Sequence, residues 1–178
     1  EGNEQRATSV ATDAAGNVWL AGYYVGAVDF GGGPLVWAGS YDAFLVKLDA
    51  AGNHLFSTRF GDAGDQRARA IALAPDDSVA IAGAATGVID LGNGPLTTQG
   101  SYDAFVAKLG GDGTPQWSKL FGNASEQQAW GLAIDPSGSV IVAGEMLGSA
   151  DFGGGALSSL GSYDVFVAKL ASDGTHLW

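Results

Sequence analysis

The chain has 178 residues, 46% of them apolar and only 15% charged, enough for one domain with a substantial core and too apolar for a disordered segment. Nineteen carboxylates against eight Lys and Arg leave a net charge of −11, which opposes nucleic acid and anionic membrane as partners. The absence of cysteine excludes disulfides and thiolate metal sites, and no apolar run reaches the roughly 20 residues a membrane-spanning helix needs.

Read in order, the chain repeats itself. Gly-Ser-Tyr-Asp-Ala-Phe-Leu-Val-Lys-Leu at 39–48 returns at 100–109 with two conservative changes and at 161–170 with three, each time after 61 residues. A fixed period of this length is the signature of a repeat architecture. The copies are 1–61, 62–122 and 123–178. The chain starts inside a repeat, without an initiator Met or a signal peptide, and is expected to be an excised or processed piece of something longer.

Within each copy the first strand comes first, and it has one small side. In the second copy Ala68, Ala70 and Ala72 oppose Ile71 and Leu73, the pattern of a strand placed where sheets converge. A tight turn follows: Asp13 opens it in the first copy and Gly16 closes it with a positive φ. Asp77 stands in the place of Gly16 and Gly138, and Asp tolerates that conformation. The second copy has four apolar segments, 68–73, 79–84, 104–109 and 116–121, all of strand length and none with a helical period. Two hairpins, or four antiparallel strands, are therefore predicted per repeat, with a long Gly-rich loop (23–41 and its copies) between the second and third.

The run from Ala129 through Asp-Phe-Gly-Gly-Gly at 151–155 to Gly-Ser-Tyr-Asp-Val-Phe-Val-Ala-Lys-Leu resembles the SBBP-type bacterial β-propeller repeat family. The strand–Asp-x-x-Gly–strand pattern is more distantly similar to NHL-type blades. The resemblance covers all three copies. It implies an all-β propeller of four-stranded antiparallel blades, one per repeat, in a secreted or cell-surface bacterial protein. Three blades are fewer than the roughly 4–8 of closed propellers, so the chain is expected to be a partial propeller or half of an oligomeric one.

In such a blade the short Asp/Gly turns share one face, while the long loop and the repeat-to-repeat connection share the other. Long loops on a rigid scaffold are where binding sits. Asp29, Asp90 and Asp151 each precede Asp42, Asp103 and Asp164 by 13 residues, and carboxylates beside glycine carbonyls are ligands that Ca²⁺ prefers. The competing reading has these Asp residues capping turns or pairing with Lys47, Lys108 and Lys169. Glu4-Gln5, Asp65-Gln66 and Glu126-Gln127 sit just before the first strand, at the expected channel mouth. There they either contact a ligand or bond neighbouring blades together. Trp37 lies where the loops differ most and is a candidate aromatic anchor; the alternative is that it packs over its own loop. Phe44, Phe105 and Phe166, with Phe56, Trp117 and Trp178, read as core aromatics between blades. No catalytic constellation is read: two His, no Cys and three equivalent Lys do not make a unique active site.

The function expected is thus a non-enzymatic extracellular or surface scaffold. It would mediate protein–protein interaction or self-assembly through its long-loop face, without cofactor. The alternative is a lectin-like module binding glycans, assisted by Ca²⁺.

Overall fold

A computed structural model describes residues 3–178, which form seventeen β-strands and no helix. No helix there is long and apolar enough to cross a membrane. In repeat 1, β1 (Glu4–Thr12) and β2 (Val18–Val25) are followed by a short hairpin, β3 (Ala27–Asp29) and β4 (Pro34–Val36), and then by β5 (Asp42–Leu48) and β6 (His54–Phe60). The antiparallel sheet has the order β1-β2-β5-β6. Repeat 2 does the same with β7 (Gln66–Leu73), β8 (Val79–Ala85), the hairpin β9 (Val88–Asp90) and β10 (Pro95–Thr97), β11 (Asp103–Leu109) and β12 (Pro115–Phe121). Repeat 3 has β13 (Gln127–Ile134), β14 (Val140–Met146), the hairpin β15 (Ser149–Asp151) and β16 (Ala156–Ser158), and β17 (Asp164–Leu170). Its main sheet has three strands. The fourth segment is attached by the Leu170–His176 bridge and by backbone bonds between Lys169 and both Leu177 and Trp178.

The predicted turns form as the residue types require. Asp13 Oδ1 accepts the N–H groups of Ala15 and Asn17, and Gly16 turns back with φ 81°. Asp77, the substitute for glycine, adopts φ 63°. Among non-glycine residues it is the one described position in that region.

Two features depart from the sequence reading. The long loop is itself a hairpin, and it does not crown the sheet. Ile89 pairs with Leu96, and Ile89 and Leu91 are buried between sheets 1 and 2. In repeat 3, Phe152 stacks at 4.4 Å on Phe166 and lies 5.1 Å from Phe121 of the preceding sheet. The hairpin tips reach back to the start of the fourth strand: the backbones of Gly32, Gly92 and Gly154 press against His54, Pro115 and His176. Each insert therefore lies along the flank of its sheet. Strands of three residues with a single apolar centre carry no readable period, which is why they pass for loop.

The second departure is a β-bulge in every first strand. Register shifts between Ala7 and Ser9, Ala68 and Ala70, and Ala129 and Gly131, leaving Thr8, Arg69 and Trp130 as extra residues. The strict alternation of small and large side chains is broken there. Opposite each bulge is a glycine: Gly22, Gly83 or Gly144. A Cβ at any of the three would run into the carbonyl oxygen of Arg6, Arg67 or Gln128.

The main core lies between sheets. Trp19, Ala21, Ala43, Leu45 and Phe60 of sheet 1 pack on Ile71, Val79, Ile81, Phe105 and Leu109 of sheet 2. Ala80, Ala104, Val106 and Phe121 of sheet 2 pack on Val140, Val142, Phe166 and Leu170 of sheet 3. Burying one such Phe contributes roughly 2–3 kcal/mol. The first strands β1, β7 and β13 are neighbours, close enough for Thr8 Oγ1 to donate to Ala68 O at 2.8 Å and for Ile71 N to donate to Ser9 Oγ at 3.2 Å. Small residues on the first strand permit this approach, as its composition predicts. At one end the β1–β2-type turns of all three repeats line a common cavity, with contributions from Asp13, Asp77 and Asp135. At the other end Thr8, Arg69 and Trp130 line a second. The three sheets thus converge on one axis through their first strands.

Candidate functional site

The candidate site is the end of this axis where the first strands begin. Three residues recur there in fixed relation: an acid, the tyrosine of Gly-Ser-Tyr-Asp, and a side chain two residues after the acid. Tyr41 Oη donates to Glu4 Oε2 at 2.7 Å, Tyr102 to Asp65 Oδ2 at 2.8 Å, and Tyr163 to Glu126 Oε2 at 2.8 Å. Arg6 Nε donates to Glu4 at 2.6 Å, Arg67 binds Asp65 through two bonds of 2.7 Å, and Gln128 donates to Glu126. Hydrogen bonding from Tyr41 and then from Arg6 holds the Glu4 carboxyl below its ordinary range. Burial, then the bond to Asp65, pushes the Tyr102 hydroxyl up to about 12.

The glutamines next to these acids divide. Gln66 and Gln127 are fully buried, whereas Gln5 is exposed and reaches Ala27 O at 3.4 Å. Gln66 Nε2 donates to Asp62 Oδ1 and Thr86 O at 2.8 Å and to Val88 O at 3.3 Å, and its Oε1 accepts from Asp62 N at 3.2 Å. Gln127 likewise ties Asn123 to Leu147 O. These side chains brace their own repeat. The link between neighbours is made by their backbone: Gln66 N donates to Tyr41 O, and Gln127 N to Tyr102 O, both at 2.7 Å.

The two sets of aspartates considered as cation ligands occupy opposite ends of the insert hairpin. Asp29, Asp90 and Asp151 sit at its tip, where each Oδ1 accepts two glycine N–H groups, as from Gly31 at 2.7 Å and Gly33 at 3.1 Å. Asp42, Asp103 and Asp164 sit beyond its base, where each Oδ2 accepts the N–H four residues earlier, of Ala38, Gln99 or Leu160. A three-residue strand separates the two ends, about 10 Å. Among the described residues no group of three or more His, Asp or Glu is gathered as a metal would require.

Asp42 and Asp103 differ in an informative way. Both are buried, with an Oδ1 that has no partner. Asp42 has Arg59 at 2.8 Å; Leu120 occupies the matching position in repeat 2. Burial pushes the Asp103 carboxyl above its ordinary range, against the Gln99 N–H bond. A raised folded-state pKa means that folding favours the proton. Stability therefore falls as pH rises past the ordinary value, and the cost is complete above the folded one. Asp103→Asn should raise stability at pH 7 by about 1 kcal/mol, with the gain fading toward pH 3. Asp42→Asn should lower it, because Arg59 loses its partner. Thermal melts of both variants at the two pH values check this; a gain in both would contradict it.

Trp37 is half-buried against Tyr24, Phe44 and Val46, so it packs over its own sheet. Two of the repeated lysines meet turn aspartates, not those of the insert: Lys47 lies 3.5 Å from Asp13, and Lys169 lies 2.7 Å from Asp135. Lys47 Nζ also donates to Gly111 O at 2.8 Å, stitching sheet 1 to sheet 2. Phe105 and Phe166 are buried between sheets, while Trp178 is largely exposed.

No protein-family model matches the chain. It is similar to the regulatory protein FlaEY of Caulobacter vibrioides, with 29% identity over 153 residues. The match covers 84% of this chain and 16% of FlaEY. The chain thus spans less than a fifth of the length of that relative.

Sequence reasoning missed the tyrosines and arginines of the axial end. The tyrosines could have been found: each follows its acid by 37 residues in every copy, and a polar pair kept in all three repeats suggests a contact. Arg69 gave no such signal, because Thr8 and Trp130 hold the equivalent positions.

Proposed function

We propose that the three sheets are blades of a β-propeller that acts as a non-enzymatic scaffold, joining protein partners and copies of itself flank to flank. The observation that carries this reading is the far flank of sheet 3. Val165 is 81% exposed and Val167 47%, whereas Ala104 and Val106, their counterparts in repeat 2, are 1% and 0% exposed under the next sheet. Leu160, in the segment that leads from β16 into β17, is 98% exposed. An apolar flank of this kind is a docking surface. Its complement on sheet 1 is the β3–β4 hairpin, packed over the buried Tyr24, Phe44 and Val46, on the side that in repeats 2 and 3 faces the preceding sheet. On this reading self-assembly runs through the flanks, where the inserts also lie, and not through the loop face.

Convergence of the first strands on one axis supports a propeller over a linear stack. The structural bonds made by Lys47 and Lys169 support a non-enzymatic role. The name of FlaEY, a regulatory protein, fits action through binding. The resemblance to SBBP repeats supports a bacterial surface or extracellular setting.

Multi-angle light scattering tests the flank. The chain should run at twice its 18.0 kDa mass or more, and Val165→Glu with Val167→Glu should return it to a folded monomer. A wild-type chain that stays at 18.0 kDa at all concentrations would remove the self-assembly reading.

A further inference from the structure

The bulges that interrupt the three first strands bring their extra residues together. Thr8, Arg69 and Trp130, with Tyr23 and Arg67, line a cavity of about 400 Å³ at the axial end. That is within the range of small-molecule sites, roughly 300–1,000 Å³. A bulge re-aims a side chain away from the ladder, and here three repeats use it at the same place with three different residues.

The walls are cationic and aromatic. The Trp130 ring lies 3.8 Å from the Arg69 guanidinium carbon, and the rings of Tyr23 and Tyr41 lie 5.1 and 4.4 Å from that of Arg67. Arg67 is neutralised by Asp65. Arg69 is not: among the described residues it has no ion pair, and its Nη1 is buried without a hydrogen-bond partner. Arg6, Arg59 and Arg67 all have a carboxylate, in a protein whose carboxylates outnumber its cations by nineteen to eight. A guanidinium half-buried without an ion pair at the meeting point of three repeats is a costly feature that a bound anion would relieve.

We infer that this cavity binds a small organic acid, with its carboxylate on the fork of Arg69 and its flat body against Trp130 and Tyr23. The guanidinium fork matches a carboxylate with two parallel bonds, and the aromatic faces favour a planar or ring-bearing body over a bare ion. Trp130, 52% exposed, forms one side of the cavity. All five lining residues come from one chain, four from the first strands β1, β7 and β13 and Tyr23 from β2.

Titration of the 178-residue chain with benzoate, benzyl alcohol and inorganic phosphate, followed by calorimetry and by tryptophan fluorescence, tests the inference. Benzoate should bind saturably with a change in fluorescence, at least tenfold tighter than either benzyl alcohol or phosphate. Arg69→Gln should weaken benzoate by about tenfold or more, the effect of losing a charged hydrogen bond. Arg69→Lys should weaken it less, and Trp130→Leu, at a half-exposed position, should weaken it while removing most of the fluorescence change. Arg6→Gln should leave it unchanged. Phosphate binding as tight as benzoate, or benzoate binding that survives Arg69→Gln in a variant with a native melt, would overturn the inference. So would the absence of any benzoate binding to the wild-type chain.

Discussion

Replacing Gly83 by alanine is expected to destabilise the protein by about 3 kcal/mol or more, among the largest effects available to a single methyl group. Gly83 lies opposite the bulge at Arg69, and a Cβ there would collide with the Arg67 carbonyl oxygen, with Ala68 Cα 3.0 Å away. Both obstacles are backbone, held in the β7–β8 ladder, so no side-chain rotation relieves the clash. Gly131 provides the control. It sits on a first strand as well, but nothing lies within 4 Å of where its Cβ would be, and Gly131→Ala should change stability by under about 0.5 kcal/mol. Urea denaturation of the two variants measures the contrast. Similar stabilities would mean that the bulge is not a fixed part of the sheet.

Gln66→Ala is the second large effect, a loss of about 3 kcal/mol, because the substitution empties a fully buried position and leaves the half-buried Asp62 N–H and Thr86 carbonyl without their partner. Gln5→Ala, at the equivalent place in repeat 1 but exposed, should cost under about 0.5 kcal/mol. This comparison decides what the recurring acid–Gln pair is for. Equal and small effects would return Gln66 to the list of ligand contacts; a large difference identifies it as a brace between the repeat connection and the insert.

Much of the fold was legible because a 61-residue period multiplies every local signal by three. The strands, their turns and the substitution of Asp77 for glycine follow from residue types that act locally. Gly-Ser-Tyr-Asp reads less simply. Its Asp closes the base of the insert through a bond to the N–H four residues back, and its Tyr crosses to an acid 37 residues earlier. A contact of that range leaves no mark on hydrophobic periodicity. The insert hairpins were hidden for a different reason: three residues per strand, set among glycines and prolines, cannot show alternation. The bulges were hidden by their contents, since Thr8, Arg69 and Trp130 have nothing in common as side chains. Their trace is on the neighbouring strand, in Gly22, Gly83 and Gly144. Of the two readings of the insert aspartates, turn capping is the one whose hydrogen bonds are seen, and the hairpin sets the two carboxylates of each repeat at opposite ends. Its tip and its base use the two carboxylates for separate turns.

Radial blades around an axis should be visible in negative-stain electron micrographs of the associated species. Discs with a central opening, ringed by about 4–8 sheets, are expected. Rods of stacked sheets with no opening would rule the propeller out.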